Sequence, residues 1–217
     1  MGERKVDLLI LESLWDEKLV SETSVRPFFD GLSRIDDFKY IYHTFYNKKD
    51  LRYFIKESKR QKLACTDYYI AAHGHRNSIQ GRKEIIKIED LKKIFENFRG
   101  RGIYFGSCNF GYLENAEEII NYTKAQWVAG FNCPVDWFDS TIIDIIFWHH
   151  YYSLDEDKRC PYDIANKIYR EYPLSLTLGF SVFDRVKNGK KVNCSLQDFK
   201  RDNPAIIKFL EDNKMCT

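Results

Sequence analysis

The sequence predicts an α/β protein, a mostly parallel sheet with helices on both faces in a single domain. Three observations carry this. Short apolar runs alternate along the chain with longer segments whose apolar residues recur at helical spacing, the pattern of strand–helix units. The first run, residues 6–11, is almost entirely aliphatic, as a strand buried on both faces must be. The 217 residues, 44% apolar and 30% charged, suit one globular domain large enough to form its core without disulfides.

Taken in order, residues 6–11 form the first strand and 25–35 a helix. Residues 38–44 form the second strand, and 49–59 a helix with Leu51, Phe54 and Ile55 at helical spacing. Residues 67–72, reading D-Y-Y-I-A-A, form the third strand, with a short extra strand at 84–88. Residues 88–98 form an amphipathic helix with Leu91, Ile94, Phe95 and Phe98 on one face and Gly100 as its stop. The fourth strand is 102–105, followed by a helix at 113–123. The fifth strand is 126–131, followed by helices at 139–151 and 161–172. A sixth strand at 176–183 leads to an Asn188-Gly189 turn. The last helix takes Asn203 as its cap and Pro204 in its first turn. Six strands separated mostly by helices make a three-layer α/β/α sandwich.

Bulk charge excludes some partners. The 34 basic and 32 acidic residues leave a net charge of +2, so no nucleic-acid or membrane-surface partner is expected. No run approaches the ~18 apolar residues of a membrane span. The apolar run ending at Leu11 is too short for a signal peptide, with Glu12 and Asp16 after it. The six cysteines, Cys65, Cys108, Cys133, Cys160, Cys194 and Cys216, show no CxxC and no even framework. Reduced thiols in a cytoplasm are expected, and no zinc site.

Ligands in open α/β sheets bind at the carboxyl ends of strands. Two such ends carry chemistry. The third strand runs into Ala72-His73-Gly74-His75, and the fourth into Gly106-Ser107-Cys108-Asn109 with a helix beyond. If the two strands are neighbours, His73 and Cys108 share one rim as general base and nucleophile. The positive end of the following helix would favour thiolate at Cys108. The amides of Gly74 and Cys108 would form an oxyanion hole. Taken singly, a strand-end cysteine is more often a small buried hydrophobe and a histidine there a hydrogen-bonded structural residue. The conjunction, two strand ends each flanked by glycine, favours chemistry.

These motifs resemble the caspase-like cysteine peptidases, the group of caspases, metacaspases, separase, gingipains and CHAT-domain peptidases. The shared pattern is an apolar strand ending in His-Gly and another ending in a small residue and Cys: here Tyr68-Tyr69-Ile70-Ala71-Ala72-His73-Gly74 and Ile103-Tyr104-Phe105-Gly106-Ser107-Cys108. The segment 125–136, ending Asn132-Cys133-Pro134-Val135-Asp136, is most similar to CHAT peptidases, with Cys133 where their turn has tryptophan. The resemblance implies a six-stranded sheet of order 2-1-3-4-5-6 with the last strand antiparallel. It implies peptide hydrolysis through a thioester, with His73 moving the proton, Cys108 attacking, and no cofactor.

The resemblance also implies candidates for specificity. Relatives with an acidic residue after the fifth strand cut after Arg or Lys, which points to Asp136 and then Asp139 as substrate-binding carboxylates. The plainer role for Asp139 is capping the following helix. Arg76 is a weaker pointer to cleavage after Asp. The expected partners are a protein substrate and a regulatory protein acting in trans, since the chain leaves no room for a sensor domain. Prokaryotic defence or cell death would fit such an arrangement. A metal pair at His73 and His75 would need further His or Asp ligands from other strands; the remaining histidines are His43, His149 and His150, and the last two read as structural. A basic turn at 187–191 holds three lysines, too few for phosphate binding. The rival from another class is a non-catalytic caspase-like binding module; a small-molecule thiol hydrolase is a third reading.

Overall fold

The computed structural model describes residues 6–15, 23–61, 66–98, 100–185 and 192–212. The expected turn at Asn188-Gly189, Cys65 and Cys216 lie outside them. The chain runs through β1 (Leu8–Ser13), α1 (Arg26–Ile35), β2 (Tyr40–Phe45), α2 (Lys48–Arg60) and β3 (Asp67–Ala71). A small three-stranded sheet follows, β4 (Gly74–His75), β5 (Ser78–Gln80) and β6 (Ile85–Lys87), and then α3 (Ile88–Ile94). Next come β7 (Gly102–Gly106), α4 (Leu113–Tyr122), β8 (Trp127–Phe131), α5 (Trp137–Tyr152), α6 (Pro161–Glu171) and the short α7 (Leu174–Thr177). β9 (Phe180–Arg185), β10 (Val192–Cys194), α8 (Ser195–Asp202) and α9 (Pro204–Asp212) close the described chain.

The main sheet has the order β2-β1-β3-β7-β8-β9-β10. β2, β1, β3, β7 and β8 are parallel, and β9 turns antiparallel against β8. The first six strands of this order match the expected arrangement. The seventh, β10, is an addition: three residues paired antiparallel to the end of β9, too short to read as a strand from sequence. Every residue of β1, β3, β7 and β8 is buried, the signature of strands covered on both faces. Burying each large aliphatic of β1 contributes roughly 1.5–3 kcal/mol, which favours an interior position for this strand, between β2 and β3.

Two boundaries differ from expectation for local reasons. The helix from Ile88 ends at Ile94 because Asn97 takes a left-handed conformation (φ 57°), though Phe95 and Phe98 stay buried. The sixth strand begins at Phe180 rather than 176. Ser175 and Thr177 hydroxyls bond back to the Tyr172 and Leu174 carbonyls and hold a helical turn, and Gly179 (φ 63°) then redirects the chain. Asn203 turns its side chain back to the Phe199 carbonyl of α8 (2.9 Å), while its own carbonyl accepts the amides of Ile206 and Ile207.

One buried polar contact braces the centre of the sheet. Asp144 of α5 accepts hydrogen bonds from the Tyr104 hydroxyl (2.5 Å) and the Tyr69 hydroxyl. The phenols rise from β7 and β3, so a single carboxyl ties α5 to both strands. Burial pushes Asp144 up to about 7, against the two phenolic hydrogen bonds. A Cβ on Gly106 would lie 2.4 Å from the Tyr69 hydroxyl, so only glycine leaves room for this phenol two residues before Cys108.

Candidate active site

β3 and β7 are hydrogen-bonded neighbours in register, Ala71 opposite Gly106. The Ala72 amide still reaches the Gly106 carbonyl at 3.4 Å. His73 and Cys108 each lie two residues beyond this last pair. The strand ends stay in contact beyond the ladder: a Cβ on Gly74 would lie 2.0 Å from the Cys108 carbonyl oxygen and 2.9 Å from Ser107 Cβ. The two sequence motifs therefore meet at one rim.

His73 is exposed and held from one side. Its Nε2 lies 2.8 Å from the Trp15 carbonyl oxygen, and its ring meets the Trp15 indole edge-on at 5.2 Å. A carbonyl only accepts, so Nε2 carries a proton, and in the neutral ring Nδ1 then holds the lone pair. That is the tautomer a general base needs, with the orienting group supplied by main chain rather than by a third side chain.

Cys108 is half-buried in the loop after β7. Its Sγ lies 3.5 Å from the Val135 carbonyl oxygen, to which the thiol donates, and 3.4 Å from the Val135 amide, which donates to sulfur. Asn109, left-handed at φ 52°, sends its amide to the Cys133 carbonyl at 3.1 Å, and the Gly111 amide bonds the Phe131 carbonyl at 2.7 Å. The nucleophile loop is thus stitched across the end of β8. α4 starts at Leu113, as expected, and the amide that reaches the sulfur belongs to Val135, ahead of α5.

Gly74 opens the small sheet. The Gln80 amide bonds the His73 carbonyl at 2.8 Å, so His73 and Gln80 form a hydrogen-bonded pair. Gly74 and Ile79, next along the antiparallel ladder, are then the non-bonded pair, and the Gly74 amide points away from β5. The expected oxyanion donor is therefore not consumed by the hairpin.

The capping part expected of Asp139 falls to the other aspartate of the turn. Asp136, not Asp139, caps α5: its Oδ1 accepts the amides of Phe138 (2.8 Å) and Asp139 (3.2 Å). The register follows from Trp137, which packs on Trp15 (6.3 Å) and Phe28 (6.0 Å) and so starts the helix one residue after Asp136. Asp139 sits half-buried in the first turn. Both cap bonds use Oδ1, which leaves Asp136 Oδ2 outside the cap. Arg76 stacks on Tyr112 at 5.2 Å. His149 pairs with Asp36 at 3.0 Å and His150 with Glu171 at 3.6 Å, both away from the rim.

Trp15 and Val135 were not among the sequence candidates. Both act through main-chain atoms, which side-chain identity does not announce. The described cysteines Cys108, Cys133, Cys160 and Cys194 are free thiols. Burial pushes Cys133, Cys160 and Cys194 above the ordinary thiol range. Among the described residues, no helix is long and apolar enough to cross a membrane.

A family model described as "Family of unknown function (DUF6642)" matches residues 5–184. No curated protein matches the sequence. Among solved structures, the chain is similar to a secreted C11 cysteine protease from Bacteroides thetaiotaomicron, "iotapain", at TM-score 0.54 and 12% identity over 83% of this chain and 66% of that one. It is also similar to an inactive zymogen C11 protease from Parabacteroides distasonis, at TM-score 0.52 and 12% identity over 85% of this chain and 63% of that one. The chain thus spans slightly less than two thirds of each protease. These likenesses show the fold, a caspase-like α/β/α sandwich.

Proposed function

The chain belongs to the family of unknown function DUF6642, and from its fold and its rim we propose that it is a cysteine endopeptidase working through a His73–Cys108 dyad. The observation that carries this reading is the β3–β7 register, which brings the His-Gly and Ser-Cys strand ends together with the Trp15 carbonyl on His73 Nε2. Fold alone would not carry it, since one fold hosts many functions.

In this reading His73 Nδ1 takes the thiol proton and Cys108 Sγ attacks the scissile carbonyl carbon. The amides of Gly74 and Cys108 hold the oxyanion. The tetrahedral adduct collapses to a thioester as the imidazolium protonates the leaving amine. His73 then draws a proton from water, which attacks the thioester and frees Cys108. The Val135 amide supports the thiolate before substrate arrives. Asp136, through the oxygen its cap leaves over, would pair with Arg or Lys before the cleaved bond, with Asp139 behind it.

The CHAT-type kinship rests on the 125–136 segment. A regulatory partner in trans, a cytoplasmic setting and a place in prokaryotic defence or cell death extend the same reading. The rival, a partner-binding module without turnover, draws on the resting thiol, whose hydrogen-bond partners are both on Val135.

The test is digestion of a peptide library by wild type, Cys108→Ala and His73→Ala, alone and with candidate partners from the same source. Cleavage by wild type that vanishes in both variants supports the dyad. Cleavage that persists in Cys108→Ala overturns it.

A further inference from the structure

Glu12 lies near the end of β1, the strand beside β3, and is 2% exposed. Four donors converge on its carboxylate. Oε1 accepts the Trp15 indole N–H (2.5 Å) and the Val25 amide (2.9 Å). Oε2 accepts the Ser24 hydroxyl (2.6 Å) and the Tyr42 hydroxyl (2.5 Å). The donors come from three stretches: three residues onward, the approach to α1, and the middle of β2. A buried carboxylate is tolerated only when its acceptor sites are filled in this way.

Holding β1 in the sheet does not need this arrangement, because Leu8, Leu9, Ile10 and Leu11 are fully packed. What Glu12 does fix is Trp15. The indole is held at its N–H by Glu12 and wedged between His73 (5.2 Å) and Trp137 (6.3 Å). The carbonyl of the same residue takes the His73 Nε2 proton. With the indole pinned, the Trp15 Cα from which that carbonyl projects is held beside the imidazole.

We propose that Glu12 is a positioning residue of the His73–Cys108 site: it pins the Trp15 indole, and Trp15 in turn holds His73 in its Nε2–H tautomer. The effect on turnover rests on the proposed peptidase reading; the effect on the tautomer does not.

Glutamine is the informative replacement. Its carboxamide oxygen accepts from the Trp15 indole and the Val25 amide, which can only donate. Its NH2 group donates to the Ser24 and Tyr42 hydroxyls, which accept equally well. Geometry survives while charge is lost. Alanine removes all four bonds. Trp15→Phe keeps the carbonyl, an aromatic ring and Glu12, and removes the indole donor along with part of the ring.

The experiment reads the His73 tautomer by imidazole 15N chemical shifts in the full-length protein, without substrate, and kcat/KM on a cleaved peptide in parallel. Wild type shows the Nε2–H signature. Glu12→Ala and Trp15→Phe each shift His73 to a mixed-tautomer signature and lower kcat/KM by about 10- to 100-fold. The double variant falls no further than Glu12→Ala, because both changes break one chain of contacts. Glu12→Gln restores both readouts toward wild type. An unchanged His73 signature in Trp15→Phe overturns the inference, even should Glu12→Ala not fold. So does a Glu12→Gln variant as impaired as Glu12→Ala, which would make charge rather than position the cause. A wild type that cleaves nothing while its His73 signature responds as stated would sink the peptidase reading and leave the positioning role standing.

Discussion

Substituting Gly74 by alanine adds one methyl group at the point where the two halves of the site touch. That Cβ would fall 2.0 Å from the Cys108 carbonyl oxygen and 2.9 Å from Ser107 Cβ. Both neighbours are set by main chain, so no rotamer change relieves the clash. Restoring an ordinary contact of about 3.5 Å requires the strand ends to part by roughly 1.5 Å. Gly74 is not among the residues with positive φ, so alanine brings no backbone penalty and the effect isolates this contact. Overpacking of this kind costs about 1–3 kcal/mol of stability. Misplacing a reacting group by about 1 Å costs on the order of 100-fold in rate. We therefore expect Gly74→Ala to lower the urea midpoint moderately and to cut Cys108 alkylation and peptide cleavage by about 100-fold. The assays are a urea melt, iodoacetamide labelling at neutral pH and kcat/KM on a cleaved peptide. A folded Gly74→Ala protein with wild-type alkylation and cleavage would refute the contact between the two motifs.

Asp136→Asn keeps the Oδ1 acceptor and therefore the helix cap, whereas Asp136→Ala loses both and should destabilise by about 1 kcal/mol. If Asp136 also reads Arg or Lys, Asp136→Asn should lower cleavage after those residues by about 10- to 100-fold, the size of a lost charge-assisted bond, without moving the melting midpoint. Unchanged cleavage, or cleavage after Asp, removes that role. Asp144 supplies a pH signature. Its carboxyl stands at about 7 folded against 3.8 ordinarily, so the folded protein holds a proton that the unfolded chain has released. The stabilisation is fully present below about pH 4 and is lost as pH rises through about 7, up to roughly 4 kcal/mol. The stability of wild type relative to Asp144→Asn should fall across that window in urea melts; a difference independent of pH would contradict the buried, protonated carboxyl.

The fold was largely legible because its central strands are buried on both faces. Residues 8–11, 67–71, 102–106 and 127–131 leave almost no polar position to confuse the pattern. His73 and Cys108 were legible for the same reason, as chemistry-bearing residues at the ends of such runs. The small sheet of β4 and β5 was not, because strands of two and three residues carry no period. The two aspartates at 136 and 139 are three apart, and either could begin a helix on chemistry alone; the packing of Trp137 against Trp15 and Phe28 decides for Asp136. The Val135 amide and the Trp15 carbonyl were invisible, since any residue type supplies those atoms.

If His73 activates Cys108, the reactivity of the thiol must depend on the imidazole. Per-thiol iodoacetamide rate constants at neutral pH, read by peptide mass mapping in wild type and His73→Ala, test it most directly. Burial raises the thiols of Cys133, Cys160 and Cys194, so they should react slowly. Cys108 should react at least about 10-fold faster than these in wild type and lose that advantage in His73→Ala. Slow, uniform labelling of Cys108 with the others, or a fast Cys108 indifferent to His73, would contradict the account.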